Sequence, residues 1–285
     1  MSSYLDGILA WHRARAAQDR RDLAVLAERA QATLHEDAPR PFAAALRAGG
    51  TPSVIAEVKR RSPSKGDLAP DLDAGTLAGE YAAGGAACLS VLTDAPHFGG
   101  SPEDLAAARA ATSLPVLRKD FTVCEADLYD ARLMGADAVL LIVAALGDDE
   151  LRRYLGVAAR LGLAALVEVH DLEEAARAVT AGAQLIGVNQ RDLRTFEVDT
   201  ARAERVAAAL PASMVKVAES GIRSRDDVVR LGDAGYDAVL VGELLVRSPD
   251  HAEAVRALRS PAAPTANRPG GAPVADQPTA AGAPA

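Results

Sequence analysis

The chain has 285 residues, of which 49% are hydrophobic and 25% charged, and this composition excludes a protein that is disordered throughout. The formal net charge of -8 argues against a nucleic-acid-binding protein, because such proteins use basic residues to neutralise phosphates. The longest apolar run, residues 138–146, is far shorter than the roughly 20 residues of a membrane-spanning helix, so we expect no membrane partner.

The N-terminal segment, residues 1–48, has the pattern of a helical extension. Leu5, Ile8 and Leu9, and later Leu23 and Leu26, recur at helical spacing among charged residues. This spacing predicts one or two amphipathic helices. The first twenty residues carry charges and lack the apolar stretch of a secretory signal, so we expect a cytoplasmic protein.

Residues 49–260 repeat one unit, in which a short aliphatic run is followed by a turn and an alanine-rich helical pattern. The runs cover residues 53–59, 87–93, 114–121, 137–143, 163–169, 184–189, 214–220 and 237–243. Helical patterns cover residues 71–83, 101–111, 124–134, 148–161, 172–181, 200–210 and 225–234, and several end at glycines expected to form left-handed helix caps.

Aliphatic strands that alternate with helices predict an α/β fold with a parallel sheet covered by helices. Eight units in about 200 residues match a closed (β/α)8 TIM barrel. An open doubly wound sheet is the alternative. It usually has a glycine-rich fingerprint after its first strand, whereas residues 59–66 read KRRSPSKG.

The last segment, residues 261–285, contains 9 Ala, 6 Pro and 3 Gly and shows no apolar periodicity. It cannot bury enough apolar area to offset the entropy of ordering the chain. We therefore predict a disordered C-terminal tail, and no second domain.

Ionisable and polar residues stand where the predicted strands end, which is the edge at which barrel enzymes carry their chemistry. They are Glu57 and Lys59 of the first strand, Lys119 of the third, Glu168 of the fifth, Asn189 and Arg191 of the sixth, Glu219 and Ser220 of the seventh, and Gly242 and Glu243 of the eighth. Burying so many charged groups at one edge is costly unless they serve a function. These residues therefore predict an active site.

Lysine is rare in this chain, with four lysines against 27 arginines. Two of the four, Lys59 and Lys119, end strands. A partly desolvated lysine can have a lowered pKa and give up a proton, which arginine cannot do, so both are candidate general acids. Lys216 has the parity opposite to Glu219, and we expect it to face the helix layer.

The ends of the seventh and eighth strands predict a phosphate site. Ser220 and Gly221 offer a hydroxyl and backbone N–H groups in a tight turn, and a short helix begins near Glu243. Ser62 lies beside basic residues in the first loop. Local basic clusters in an acidic chain suggest a small anionic ligand.

Metal and redox chemistry are not indicated by the sequence. Cys88 and Cys124 are far apart without metal-ligand spacing, and the five histidines have the character of surface or loop residues. His170 is the one histidine near a strand end. We expect no metal and no cofactor.

Several strings in this order resemble the indole-3-glycerol phosphate synthase family of the tryptophan pathway. They are IAEVKRRSPSKG, LTDAPHFGGS, PVLRKDF, ADAVLLI, LVEVHDLEE, IGVNQRDLRTFEVD, VAESGI and AVLVGE, and the resemblance runs from about residue 4 to 257. It implies that 1-(2-carboxyphenylamino)-1-deoxyribulose 5-phosphate is closed to form the pyrrole ring, with loss of carbon dioxide and water and without a cofactor. Leu244 departs from the family, which usually has a small hydroxyl residue there.

The resemblance also implies residue roles. Lys119 resembles the general acid of ring closure, Lys59 the partner of the substrate carboxylate and an acid in dehydration, and Glu168 the general base. Glu57 and Asn189 resemble orienting partners, and Glu219 resembles a carboxylate in contact with the substrate. The phosphate cradle would comprise Ser62, Ser220, Gly221, Gly242 and Glu243, with Arg191 nearby, and the apolar slot for the aromatic ring would comprise Phe98, Phe121 and Leu193.

Two alternatives remain at this point. One is an isomerase like that acting on phosphoribosylanthranilate, which is expected to use a Cys and Asp pair at strand ends. The other is a non-catalytic phosphosugar-binding barrel. The sequence shows no distinct apolar helix face for assembly, so we expect a monomer or weak homo-oligomer.

Overall fold

The structure is a computed structural model that describes residues 4–48, 52–63, 65–192 and 197–259. The predicted disordered tail, 261–285, and the predicted slot residue Leu193 lie outside the described residues.

Eight parallel strands form a closed barrel, and a two-stranded hairpin lies beside it. The strands are β1 (Ser53–Val58), β2 (Arg61–Ser62), β3 (Gly66–Asp67), β4 (Cys88–Leu92), β5 (Val116–Lys119), β6 (Ala138–Ile142), β7 (Ala164–Val169), β8 (Leu185–Asn189), β9 (Val215–Glu219) and β10 (Ala238–Val241). β2 and β3 form the hairpin, and β1 pairs with both β4 and β10, which closes the ring. The predicted TIM barrel is confirmed, and the open-sheet alternative is wrong.

Helices cover the barrel and precede it. They are α1 (Tyr4–Gln18), α2 (Leu23–Glu36), α3 (Phe42–Arg47), α4 (Ala74–Gly84), α5 (Ala95–Phe98), α6 (Pro102–Ala111), α7 (Glu125–Leu133), α8 (Asp148–Arg160), α9 (Leu172–Ala181), α10 (Ala201–Ala207), α11 (Arg225–Asp233), α12 (Glu243–Val246) and α13 (His251–Arg259). Each of the seven helical patterns predicted between strands overlaps one of them. Within the described ranges, no helix has both the length and the apolar character required to cross a membrane.

The junctions between helices and strands depend on glycine, as the sequence predicts. Gly135, after α7, and Gly182, after α9, have φ of 85° and 93°. This left-handed conformation is unfavourable for residues with a Cβ, and it lets the chain reverse directly into the next strand.

The N-terminal extension forms three helices at different places on the barrel. α3 packs against β1, β4 and β9, and Ser53 Oγ at the start of β1 donates a hydrogen bond to the Leu46 carbonyl at 2.9 Å. α2 packs against α7. α1 contributes to the wall of the cavity at the carboxyl ends of the strands, where Leu5 and Ile8 are buried. The extension therefore forms part of the site as well as of the scaffold.

Candidate active site

A cavity of about 1310 Å³ opens at the carboxyl ends of the barrel strands. Every predicted site residue within the described ranges lines it. These residues are Glu57, Lys59, Ser62, Phe98, Lys119, Phe121, Glu168, Asn189, Arg191, Glu219, Ser220, Gly221, Gly242 and Glu243. The topology therefore brings residues from opposite ends of the sequence to one site.

Glu57 and Lys59 form an ion pair at the end of β1. Their side chains project to the same side of the strand because they are two residues apart. Lys59 Nζ lies 2.6 Å from Glu57 Oε1, and Ser90 Oγ donates to Glu57 Oε2 at 3.2 Å. Burial opposes ionisation of Glu57, but the nearby cations Lys59 and Lys119 outweigh it and hold the pKa of Glu57 below its ordinary value. Glu57 is thus an anion that fixes the position of Lys59.

Lys119 stands among three carboxylates. Its Nζ lies 2.9 Å from Glu219 Oε2 and 3.9 Å from both Glu57 Oε2 and Glu168 Oε2. Burial alone would lower the pKa of Lys119, but the three carboxylates outweigh burial and raise it. The expectation of a lowered pKa at Lys119 is therefore wrong, and this lysine carries its proton in the unliganded protein.

Protonation of Glu219 reduces the excess negative charge around Lys119. Burial, with the repulsion of Glu168 and Glu57, raises the pKa of Glu219 to about 7, although Lys119 opposes the shift. Its Oε1 is buried without a hydrogen-bond partner among the described residues. Gly187 on the neighbouring strand leaves the space for it, since a Cβ there would overlap Oε1. Glu219 can therefore hold or release a proton near neutral pH.

Glu168 is held from two sides at the end of β7. Asn189 Nδ2 donates to Glu168 Oε1 at 3.2 Å, and Asn189 Oδ1 accepts from the backbone N–H of Arg191 at 3.0 Å. On the other side His170 Nε2 lies 3.5 Å from the same Oε1, while His170 Nδ1 lies 3.0 Å from Glu174 Oε2. Burial lowers the pKa of His170, but Glu174 and Glu168 together raise it above its ordinary value.

The predicted phosphate cradle has the backbone of a tight turn. Ser220 and Gly221 both have positive φ, at 66° and 74°. Such a conformation is uncommon for serine and often marks a functional turn. Gln190 Nε2 donates to the Ser220 carbonyl at 2.6 Å and holds the turn. Gly242 stands directly before α12, beside the Glu57–Lys59 pair.

Not all of the predicted basic clusters face the cavity. Arg60 pairs with Asp104 at 2.6 Å, and the buried Arg118 pairs with Asp120 at 2.9 Å. These guanidinium groups stabilise the scaffold and are engaged by carboxylates. Lys65 does line the cavity. Lys216 Nζ donates to the Ala207 carbonyl at 3.2 Å, which confirms that Lys216 faces the helix layer.

The apolar part of the cavity contains Phe98 and Phe121, whose ring centroids are 6.4 Å apart. Sequence reasoning missed the contribution of α1, whose Tyr4, Leu5 and Ile8 also line the cavity. The helical apolar pattern of residues 4–9 predicted that this helix packs against something. The pattern did not indicate that the helix packs at the mouth of the barrel.

Comparison with known proteins shows the family of the chain. Residues 5–258 match the family model described as indole-3-glycerol phosphate synthase. A protein of that name from Nocardioides sp. is 53% identical over 254 residues, which cover 89% of this chain and 97% of that protein. Another, from Mycolicibacterium gilvum, is 50% identical over 254 residues, covering 89% and 93% of the two chains.

Among solved structures, a thiamine phosphate pyrophosphorylase from Pyrococcus furiosus is similar, with a TM-score of 0.56 and 19% identity. The similarity covers 73% of this chain and 93% of that one. At this identity it supports the barrel fold alone.

Proposed function

The chain belongs to the indole-3-glycerol phosphate synthase family, and we propose that it is a carbon–carbon lyase that converts 1-(2-carboxyphenylamino)-1-deoxyribulose 5-phosphate to indole-3-glycerol phosphate. The observation that carries the proposal is the protonated Lys119 among three carboxylates, with the Glu57–Lys59 pair beside it. The reaction forms one carbon–carbon bond and releases carbon dioxide and water. It needs proton donors and an acceptor at fixed positions.

Lys119 acts as the general acid of ring closure. As the aromatic carbon that bears the carboxylate attacks the ribulose carbonyl carbon, the carbonyl oxygen gains negative charge and takes the proton from Nζ. The three carboxylates keep that proton on the amine until the substrate enters. A positioned acid of this kind contributes roughly 10²- to 10⁴-fold to a rate.

Lys59 holds the substrate carboxylate before carbon dioxide leaves. Its ammonium is fixed by Glu57 at 2.6 Å, so its orientation is set before binding. After decarboxylation the hydroxyl made by ring closure must leave as water, and Lys59 serves as the acid for that step.

Glu168 is the general base. It removes the proton whose loss completes the indole ring as water departs. Asn189 orients its carboxylate through the 3.2 Å hydrogen bond. Glu219, which has a pKa raised to about 7, contacts the substrate and accepts or returns the proton that Lys119 exchanges.

The remaining cavity residues bind the two ends of the substrate. The backbone of Ser220, Gly221 and Gly242, with the start of α12 at Glu243, receives the phosphate, and Ser62 and Arg191 complete the cradle. Phe98 and Phe121 cover the aromatic ring. The reaction needs no cofactor, and we propose that the enzyme works in the cytoplasm as a monomer or weak homo-oligomer.

An isomerase with a Cys and Asp pair at strand ends is disfavoured by the positions of both cysteines. Cys88 is buried at the start of β4, and Cys124 precedes α7. Neither lines the cavity. A non-catalytic phosphosugar-binding barrel is disfavoured because it would not require the acid and base residues that line this cavity.

One assay separates these possibilities. Purified protein is incubated with the ribulose phosphate substrate, and the formation of indole-3-glycerol phosphate is followed by the fluorescence of its indole ring. We expect turnover in the wild type, a loss of at least about 10²-fold in Lys119→Ala, and near wild-type turnover in Lys216→Met, whose lysine lies outside the cavity. Substantial turnover by Lys119→Ala would contradict its role, and substrate binding without product in the wild type would favour the non-catalytic barrel.

A further inference from the structure

A cluster of metal-binding side chains lies beside the reacting groups and joins α1 to the segment after β4. His12 Nε2 of α1 lies 3.2 Å from Asp94 Oδ2. His97 Nδ1 of α5 lies 2.9 Å from the same oxygen and 3.1 Å from Oδ1. Ligand atoms of all three residues lie within 4.8 Å of one another. Two imidazoles therefore converge on one carboxylate.

The carboxylate at the centre of this cluster is buried and has no strong cation beside it. The Asp94 side chain has no exposed surface, and His12 is 2% exposed. Among the described residues, Asp94 pairs with these two histidines and with no lysine or arginine. A buried carboxylate without a lysine or arginine beside it attracts a cation.

The neighbouring acid, Asp120, does not compete for the same role. Its Oδ1 lies 4.0 Å from His12 Nε2, but its other oxygen is bound by Arg118 at 2.9 Å and by Thr93 Oγ1 at 2.6 Å. Its charge is therefore already balanced. The unbalanced charge of the cluster is that of Asp94.

The donor set and spacing fit a small transition-metal ion. At zinc–ligand distances of about 2.0 to 2.2 Å, tetrahedral ligand atoms lie roughly 3.3 Å apart. The two nitrogen–oxygen distances, 3.2 and 2.9 Å, are close to this value. The two imidazole nitrogens have to approach each other, and His97 can move because it lies on the four-residue helix α5 with 18% of its side chain exposed.

We propose that His12, Asp94 and His97 bind one divalent ion of the zinc class, with a water molecule as the fourth ligand. Imidazole nitrogens together with a carboxylate favour zinc and its neighbours over calcium or magnesium, which prefer oxygen ligands. The partly exposed side of His97 is the route by which the ion and its water enter. Because the two histidines are 85 positions apart in sequence, no spacing motif reveals the site.

The ion fastens α1 onto the barrel. α1 supplies Tyr4, Leu5 and Ile8 to the cavity wall, and Asp94 lines the same cavity. A bond from His12 to an ion held by Asp94 and His97 fixes that wall in place. The site is structural and takes no part in proton transfer, so it does not depend on the proposed function.

The test uses full-length protein without a histidine tag, stripped with a chelator and then titrated with Zn²⁺. We expect one equivalent of zinc to bind and to raise the Tm by several degrees, since an ion that binds the folded state alone stabilises it. His97→Ala is the main variant because His97 is the least buried ligand. It should lose at least about tenfold in zinc affinity and most of the Tm increase. His35→Ala, which removes an exposed histidine at the end of α2, is the matched control and should bind zinc as the wild type does.

Two further measurements keep the result unambiguous. The Tm of His97→Ala in chelator should be somewhat below that of the stripped wild type, because the hydrogen bond to Asp94 is lost, so each protein is compared with itself before and after zinc is added. Cys124→Ser should bind zinc with the affinity of the wild type. Co²⁺ bound to the wild type should give the intense visible absorption of a four- or five-coordinate ion. Absence of stoichiometric zinc in the wild type, or equal affinity in His97→Ala, would overturn the proposal.

Discussion

Charge balance around a single amine determines the protonation of the residues at the barrel mouth. Lys119 faces Glu57, Glu168 and Glu219 within 3.9 Å, so three potential anions share one cation. Glu57 has Lys59 as a second cation, whereas among the described residues Glu219 pairs with Lys119 alone. The pKa values of these two carboxyl groups therefore shift in opposite directions, down at Glu57 and up at Glu219.

This difference predicts the pH dependence of stability. Between pH 4.5 and about 7 the folded protein keeps the Glu219 proton while the unfolded chain releases it. The contribution of Glu219 to the free energy of unfolding is therefore present below pH 4.5 and falls as the pH rises through this window. Urea unfolding at several pH values should show the wild type losing stability relative to Glu219→Gln from pH 4.5 to 7.

Glu57→Gln is the matched control for that experiment. The pKa of Glu57 is lowered, so its contribution to stability is present at neutral pH and is lost as the pH falls below its ordinary value of 4.5. The wild type should lose stability relative to Glu57→Gln only toward acid, which is the opposite sign. Parallel curves for the two variants would contradict the assigned directions.

Gly242 predicts a kinetic effect of a single methyl group. A Cβ at this position would lie 2.6 Å from Glu57 Oε1 and 2.9 Å from Lys59 Nζ. Gly242→Ala should push the Glu57–Lys59 pair aside and lower kcat/KM by about tenfold or more, at a cost in stability of about 1 kcal/mol. Steady-state kinetics and urea unfolding measure the two quantities. An unchanged kcat/KM would mean that the position of Lys59 tolerates the displacement.

The identity of the site residues could be predicted from sequence, but their protonation could not. Strand parity alone places Glu57 and Lys59 on one face, and a lysine that ends a strand is recognisable in a chain with few lysines. The raised pKa of Lys119 depends on Glu57 and Glu219, which come from the first and seventh barrel strands. Their distance to Nζ follows from barrel closure and is absent from any local pattern.

At the level of elements, the barrel strands and the helices between them were predictable because each is a local pattern of six to fourteen residues. The hairpin β2–β3 and the helix α5 were missed because each element has four residues or fewer. The position of α1 was missed for another reason. An amphipathic helix records that one face is buried, but it does not record which surface buries it.

The contact between α4 and α13 predicts a contrast between two glycines of one helix. A Cβ at Gly84 would lie 2.5 Å from the Ala252 carbonyl oxygen and 2.7 Å from Val255 Cβ, whereas one at Gly79 would have no neighbour within 4 Å. Gly84→Ala should therefore lower the free energy of unfolding by about 1–3 kcal/mol through overpacking. Gly79→Ala should raise it by roughly 0.5–1 kcal/mol, because alanine favours the helix.

Urea unfolding of both variants tests this contrast, with the wild type measured alongside. Because both substitutions add the same methyl group to α4, the difference between them isolates the packing of α13. Equal effects of the two substitutions would show that α13 moves aside without a loss in the free energy of unfolding.

At the scale of the whole molecule, the negative net charge is compatible with an anionic ligand because lysines are concentrated at the cavity. Acidic side chains such as Asp104 and Asp130 pair with arginines away from the reacting groups. Within the described ranges the cavity is lined by Lys59, Lys65 and Lys119, three of the four lysines of the chain. The net charge of -8 therefore says little about the potential at the mouth.

The barrel and its N-terminal helix make separate contributions, which predicts the effect of removing α1. Barrel closure rests on strand pairing among β1 and β4 to β10, in which α1 takes no part. α1 instead docks on the outside of the barrel through an ion pair between Arg15 and Asp127, and it lines the cavity with Leu5 and Ile8. Deletion of residues 1–20 should therefore leave a cooperatively folding barrel with a lower Tm. KM should rise more than kcat falls, because the reacting groups of the strands stay in place. Deletion of residues 261–285, the predicted tail, is the matched truncation and should change neither the Tm nor the kinetics. If the removal of α1 instead lowered kcat strongly and left KM unchanged, α1 would take part in the chemical step.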